Sequence, residues 1–376
     1  MKPTLNLADR WTWLLVVSLL FLSACDTSSP ATEEVDSGPV ELLHAWIEVD
    51  PPDVGLSEDA LDAAISAARQ IQRLKSFLII KDGKLVEEHY LHGALADDLH
   101  DVRSVTKSIV SAIVGIAISE GKIPSIDTPI GNHLDFISET IPDDFKTITF
   151  KDLLTMTGGW ADENVTSTYG RWISSGDPEG WLVSEPRTNS PGSTFSYTSA
   201  GVHLLAVLTG QYLDQSFVTY ADARFFSRIG IINREWEMLS SGYPNGGAGI
   251  DLQARDLAKI GQLFLQRGAS GERQIIPSEW VDASTTPKFT WQNSYAGLSA
   301  LSYGYLWWTD LTDFDRSYFA WGYGGQFIFV SPSRNLVIVT TTDWSGVTSE
   351  PGGEQALARS VMNVITDQVL PAISPN

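Results

Sequence analysis

A serine followed three positions later by a lysine occurs twice in the chain, as Ser104-Val105-Thr106-Lys107 and as Ser119-Glu120-Gly121-Lys122. A lysine held out of water loses its preference for the charged form and can take a proton from a neighbouring hydroxyl, which turns that serine into a nucleophile. The first pair opens an apolar run in which Val105, Ile109, Ile113 and Ile116 form a stripe with Val110, Val114 and Ile118 beside it. A helix apolar nearly all round is buried, and the spacing sets Lys107 one turn from Ser104 on the same face. Amide N–H groups at the start of such a helix can also bind developing negative charge. In the second pair Gly121 interrupts the helix, so that copy reads as a helix C-terminus. The residues alone leave a plainer reading open for the first pair. Ser104 would cap the helix and Lys107 would be a solvated first-turn lysine, although a lysine there opposes the helix dipole.

Two further segments hold polar groups suited to a cleft. Tyr197-Thr198-Ser199 follows the turn Ser190-Pro191-Gly192-Ser193 and precedes a helix beginning near Ala200. A tyrosine there can aim its hydroxyl into a cleft. Beside a lysine ammonium its phenolate is favoured, so it could act as a general base or pass a proton to the leaving group. Its plainer reading is a half-buried aromatic with a satisfied hydroxyl. Trp321-Gly322-Tyr323-Gly324-Gly325-Gln326 leads into a strand over Phe327 to Val330, and its glycines let backbone approach a ligand closely. A backbone N–H there could pair with that of Ser104 as an oxyanion hole; a bulge or tight turn is the alternative. Tyr243-Pro244-Asn245 has a similar look but lies in a Gly-rich loop and reads as a turn.

The elements that must position these groups come from both chain ends. Phe77 to Ile80 and Leu85 to Tyr90 read as strands around an Asp82-Gly83 turn, after a helix capped at Ser57 with Glu58 and Asp59 in its first turn. Strands are also predicted over Tyr303 to Trp308, Tyr318 to Trp321, Gln326 to Val330 and Leu336 to Thr342, with a closing helix from Glu354 to Leu370. The middle of the chain is helical in pattern, over Ser104 to Glu120, Thr149 to Thr155, Ala200 to Thr209, Thr219 to Phe226 and Leu252 to Arg267. The expected class is α/β in the α+β sense. One antiparallel sheet is built from both ends with flanking helices, beside a helical lobe over roughly 125–265. A site is expected at the junction.

Together the Val102 to Ser108, Leu153 to Gly159, Tyr197 to Ser199, Gly249 to Leu263 and Gly322 to Gln326 segments resemble the serine β-lactamase and penicillin-binding-protein superfamily. The class C-like serine hydrolases, among them esterases and 6-aminohexanoate-dimer hydrolases, are the nearest likeness, and it runs from about Gly55 to Val369. The resemblance implies that Ser104 is the acylated nucleophile, Lys107 its proton acceptor and Tyr197 the general base or acid. Ser199, Gly322, Tyr323, Gly324 and Gly325 would then serve substrate and oxyanion. Two departures matter. Ser199 stands where the second motif often has Asn, and Gly322-Tyr323-Gly324 stands where the third often has Lys-Thr-Gly or His-Thr-Gly. With no basic side chain there to receive a carboxylate, a small ester or amide is the expected substrate, and efficient β-lactamase or carboxypeptidase activity is not.

Composition narrows the field further. The 376 residues are 43% hydrophobic and 19% charged, which excludes disorder and fibrous repeats. A formal charge of −21 excludes a basic groove for nucleic acid. The single cysteine, Cys25, excludes a disulfide framework and Cys-rich zinc modules. No metal or diffusible cofactor is implied: His89 and His92 would face opposite sides of a strand. Trp160, Trp172, Trp181, Trp307, Trp308 and Trp321 suit core and cleft lining.

Lys2 and Arg10 precede an apolar run from Trp11 through Leu22, too short for a comfortable membrane span, ending in Leu22-Ser23-Ala24-Cys25. This resembles the lipobox of bacterial lipoproteins, which implies a leader over 1–24 and lipidation at Cys25. A flexible acidic tether is expected over 25–50, then a single hydrolase domain over 51–376 on the bacterial cell envelope. The competing readings are a D-amino-acid or peptidoglycan peptidase and a binding lipoprotein without turnover.

Overall fold

The computed structural model describes residues 38–290, 295–298, 300–310 and 316–375. The expected leader and Cys25 lie outside the described residues. Eight strands make one sheet: β1 (Leu74–Lys81), β2 (Lys84–Tyr90), β3 (Phe289–Thr290), β4 (Leu301–Tyr303), β5 (Trp308–Asp310), β6 (Tyr318–Gly322), β7 (Gln326–Ser331) and β8 (Leu336–Thr342). Their order is β2-β1-β8-β7-β6-β5-β4-β3, with every neighbour antiparallel, so the two chain ends do meet at the β1–β8 pair. Asp82 and Gly83, at φ 52° and 72°, make the tight β1–β2 turn that the Asp-Gly pair predicts.

Both faces of the sheet are covered, which is why its central strands are apolar at nearly every position. Leu78, Ile80, Val337 and Val339 join one core with the helices Val105–Ser119 and Ala254–Leu265. Phe77, Ile79, Phe329 and Ile338 join another with the helices Glu58–Gln70 and Gly353–Val364. Alternating side chains of one strand thus feed opposite cores.

Four expectations need correction. Tyr303 to Trp308 is not one strand. The chain turns between β4 and β5, where Gly304 donates to the Trp307 carbonyl at 2.8 Å. A Cβ on Gly304 would lie 1.9 Å from the Ser284 carbonyl oxygen, so only glycine admits that approach, and the aromatic run around it hides the turn. The closing helix stops at Val364 and passes through a π turn over Ile365–Val369. The Ser57 side chain makes no capping bond. The tether does not extend through 38–50: Leu42 is buried and its N–H reaches Ser270 Oγ at 2.9 Å, while Glu41 pairs with Arg273 at 2.8 Å.

Candidate active site

The apolar helix Val105–Ser119 is buried from Val105 to Ala117. Ser104 sits at its N-cap position but its side chain makes no capping bond, which leaves the hydroxyl for other partners and sets aside the capping reading. The turn is held from both sides: Thr106 Oγ1 donates to the Arg103 carbonyl at 2.7 Å and accepts from the Ile250 N–H at 3.2 Å. Ile250–Leu252 is the middle strand of a small sheet, between His100–Asp101 and Arg234–Trp236.

Lys107 is 1% exposed, and its Nζ lies 2.8 Å from Ser104 Oγ, 2.8 Å from Ser199 Oγ and 2.6 Å from the Gly247 carbonyl oxygen. Burial lowers it to about 7; the Glu163 carboxylate opposes that fall and the Arg103 charge adds to it. Gly247 offers only an acceptor, and Ser199 Oγ donates to Glu163 Oε1 at 2.6 Å. Charged, Lys107 donates to all three partners; once neutral, its two N–H groups serve Gly247 and Ser199 and its lone pair faces the Ser104 hydroxyl.

Glu163 also accepts from the Ser199 N–H at 2.6 Å, and burial pushes its carboxyl up while Lys107 pulls it down. Asp162 fixes the neighbouring strand of chain by accepting the Tyr197 N–H at 3.0 Å. Tyr197 packs with its ring 4.8 Å from Lys107 Nζ and stacks on Trp308 at 6.2 Å. Its phenolate is not favoured, contrary to expectation. Burial and the Glu163 and Asp162 charges push the phenol well above its ordinary value, which favours the protonated form.

The cleft over these groups encloses about 600 Å³ and is lined by Ser104, Tyr197, Ser199, Trp308, Trp321 and Tyr323, among others. Ala320–Gly322 of β6 run past the last β5 pair, Trp308–Phe319, and the neighbouring Trp321 and Tyr323 line the cleft with Ser104. Gly322 is required there, since a Cβ would lie 2.2 Å from the Val102 carbonyl oxygen. Gly324 and Gly325 belong to the turn instead, at φ 80° and 98°, packed against Trp344 and against Ala358 and Val361. Both glycines meet a backbone requirement of the β6–β7 hairpin.

The second Ser-x-x-Lys is a helix end as expected: Ser119 Oγ donates to the Ile116 carbonyl at 2.8 Å and Gly121 is left-handed at φ 68°. Among the described residues no group of three His, Cys, Asp or Glu could hold a metal. His89 pairs with Glu87 at 2.8 Å, and His92 lies beyond the strand.

Sequence reasoning missed Glu163 and Gly247. Nothing around Glu163 distinguishes it. The run Gly246-Gly247-Ala248-Gly249 did carry a signal: a Cβ on Gly247 would lie 2.7 Å from the Ser199 carbonyl oxygen, so glycine lets the loop press against the motif.

Comparison with known proteins agrees with this fold. The chain is 25% identical over 357 residues to the 6-aminohexanoate-dimer hydrolase of Paenarthrobacter ureafaciens, covering 89% of this chain and 86% of the relative. Its structure resembles the penicillin-binding protein of Bacillus halodurans, with TM-score 0.62, 18% identity and coverage of 81% and 99%. It also resembles EstCE1, a hydrolase with promiscuous acyltransferase activity, with TM-score 0.64, 16% identity and coverage of 81% and 99%. The family model for beta-lactamase matches residues 66–361, a span that takes in the nucleophile turn, the tyrosine motif and the glycine hairpin, and the chain belongs to that family.

Proposed function

We propose that this protein is a serine hydrolase of small esters or amides that passes through an acyl-enzyme on Ser104. The observation that carries the proposal is the 2.8 Å contact of Ser104 Oγ with a buried Lys107 whose other two partners are Ser199 and the Gly247 carbonyl. In the first step the Ser104 proton moves to Lys107 while Oγ bonds to the substrate carbonyl carbon. The oxyanion is taken by the Ser104 N–H and a backbone N–H of the β6 edge at Gly322 or Tyr323. Collapse breaks the bond to the leaving group, which receives a proton from Tyr197; Lys107 restores the Tyr197 proton. Water then attacks the ester on Ser104 by the reverse relay, releasing the acid.

The test is hydrolysis of a short-chain p-nitrophenyl ester with covalent trapping by a serine-reactive phosphonate. Turnover and an adduct on Ser104, both absent in Ser104→Ala, are expected. Undiminished activity in Ser104→Ala overturns the mechanism.

The reading extends to the address. Leu22-Ser23-Ala24-Cys25 supports lipidation at Cys25 and a place on the cell envelope. Each buried methylene contributes about 0.8 kcal/mol, so multiple acyl chains hold firmly. Incorporation of labelled palmitate, lost in Cys25→Ala, is the expected result.

A further inference from the structure

The residue before the nucleophile has no part in the relay, yet it is built with care. Arg103 is left-handed at φ 49°, a conformation that Gly or Asn adopts at least cost, so its presence is explained by the side chain. The guanidinium lies 4.6 Å over the Trp344 ring and 5.7 Å from the Tyr169 ring, in the wall of the cleft that holds Ser104. Nη2 donates to Tyr169 Oη at 2.8 Å, and Nη1 reaches Asp101 Oδ2 only at 3.4 Å. Nε is buried without a partner, and each Nη keeps one N–H beyond these contacts.

Its ion-pair partner Asp101 stands at that same 3.4 Å; burial raises the Asp101 carboxyl while Arg103 lowers it. An arginine keeps its charge in such a site. The third motif carries Gly322 where a basic side chain would stand.

We propose that Arg103 binds a carboxylate of the substrate and selects esters or amides whose chain bears a carboxylate a few bonds from the scissile carbonyl. The inference rests on the hydrolase reading above, and moves the missing cation of the third motif to the other side of the nucleophile. A planar fork stacked on an aromatic face suits such a group better than a point charge.

The test compares kcat/KM for p-nitrophenyl hydrogen adipate and p-nitrophenyl hexanoate, in the intact protein and in Arg103→Gln and Arg103→Lys. The ratio is read, because losing Arg103 also changes the field at Lys107. A preference of about tenfold or more for the adipate is expected, falling with salt, lost in Arg103→Gln and partly kept in Arg103→Lys. A ratio near one in the intact protein, or one that survives Arg103→Gln, overturns the proposal. A second readout does not need turnover: tryptophan fluorescence with monomethyl and dimethyl adipate, in Ser104→Ala. Tighter binding of the anion, lost when Arg103→Gln is added, supports the proposal even if no ester is hydrolysed and the hydrolase reading fails. Equal binding of the two overturns it.

Discussion

Ser199 and His203 stand one turn apart on the helix Ser199–Leu213, and each is joined to a carboxylate brought from elsewhere in the chain, half-buried Glu163 for the one and buried Glu179 for the other. Ser199 meets Glu163 and Lys107, and above them lies the cleft. His203 meets Glu179 at 2.5 Å and the Pro244 carbonyl at 3.0 Å, and Glu179 accepts also from Ser241 at 2.9 Å. None of this second group lines the cleft. The loop between them is fastened twice, by Pro244 to His203 and by Gly247 to Lys107. The difference teaches that burial alone does not make chemistry. One buried polar cluster touches a hydroxyl that substrate can reach; the other is closed and sets the position of the loop that feeds the first.

Substitutions can break this comparison. Ser104→Ala or Lys107→Met should lower kcat/KM by roughly a thousandfold or more, since members of one relay fail together. Circular dichroism should show Ser104→Ala folded. Tyr197→Phe should cost on the order of a hundredfold, and more for an anilide than for an ester, because an amine must be protonated as it leaves. Equal losses on the two substrates would remove Tyr197 from the leaving-group step.

The pH profile sharpens the same contrast. Lys107 acts when neutral, so kcat/KM should rise as pH passes about 7 and level off above it. Glu163 favours the charged lysine, and Glu163→Gln should therefore move that rise to lower pH. On the closed side, His203→Ala should leave the profile in place and lower stability by about 1–3 kcal/mol, read by denaturant unfolding, because a buried acceptor loses its partner. A shifted profile there would show that the two clusters titrate together.

Much of this site was legible from residues. Ser104 and Lys107 share a helix face through local geometry, and the apolar run around them announced burial before any fold was known. Strands β1, β7 and β8 were readable for the same reason, as buried apolar segments between turn residues. Glu163 was not, because it lies in irregular chain and acts only through Ser199 and Lys107. Gly247 contributes a carbonyl, which every residue owns, so its type marks only the close approach.

The chain by itself determined which groups could react: a serine and lysine one turn apart, a tyrosine at a helix entrance, and glycines where backbone must come close. Only the tertiary structure decided their protonation. Desolvation draws Lys107 towards its neutral form against the pull of Glu163, and desolvation together with the carboxylates beside it keeps Tyr197 a phenol. Those effects depend on what surrounds a group in space, which spacing along the chain does not contain.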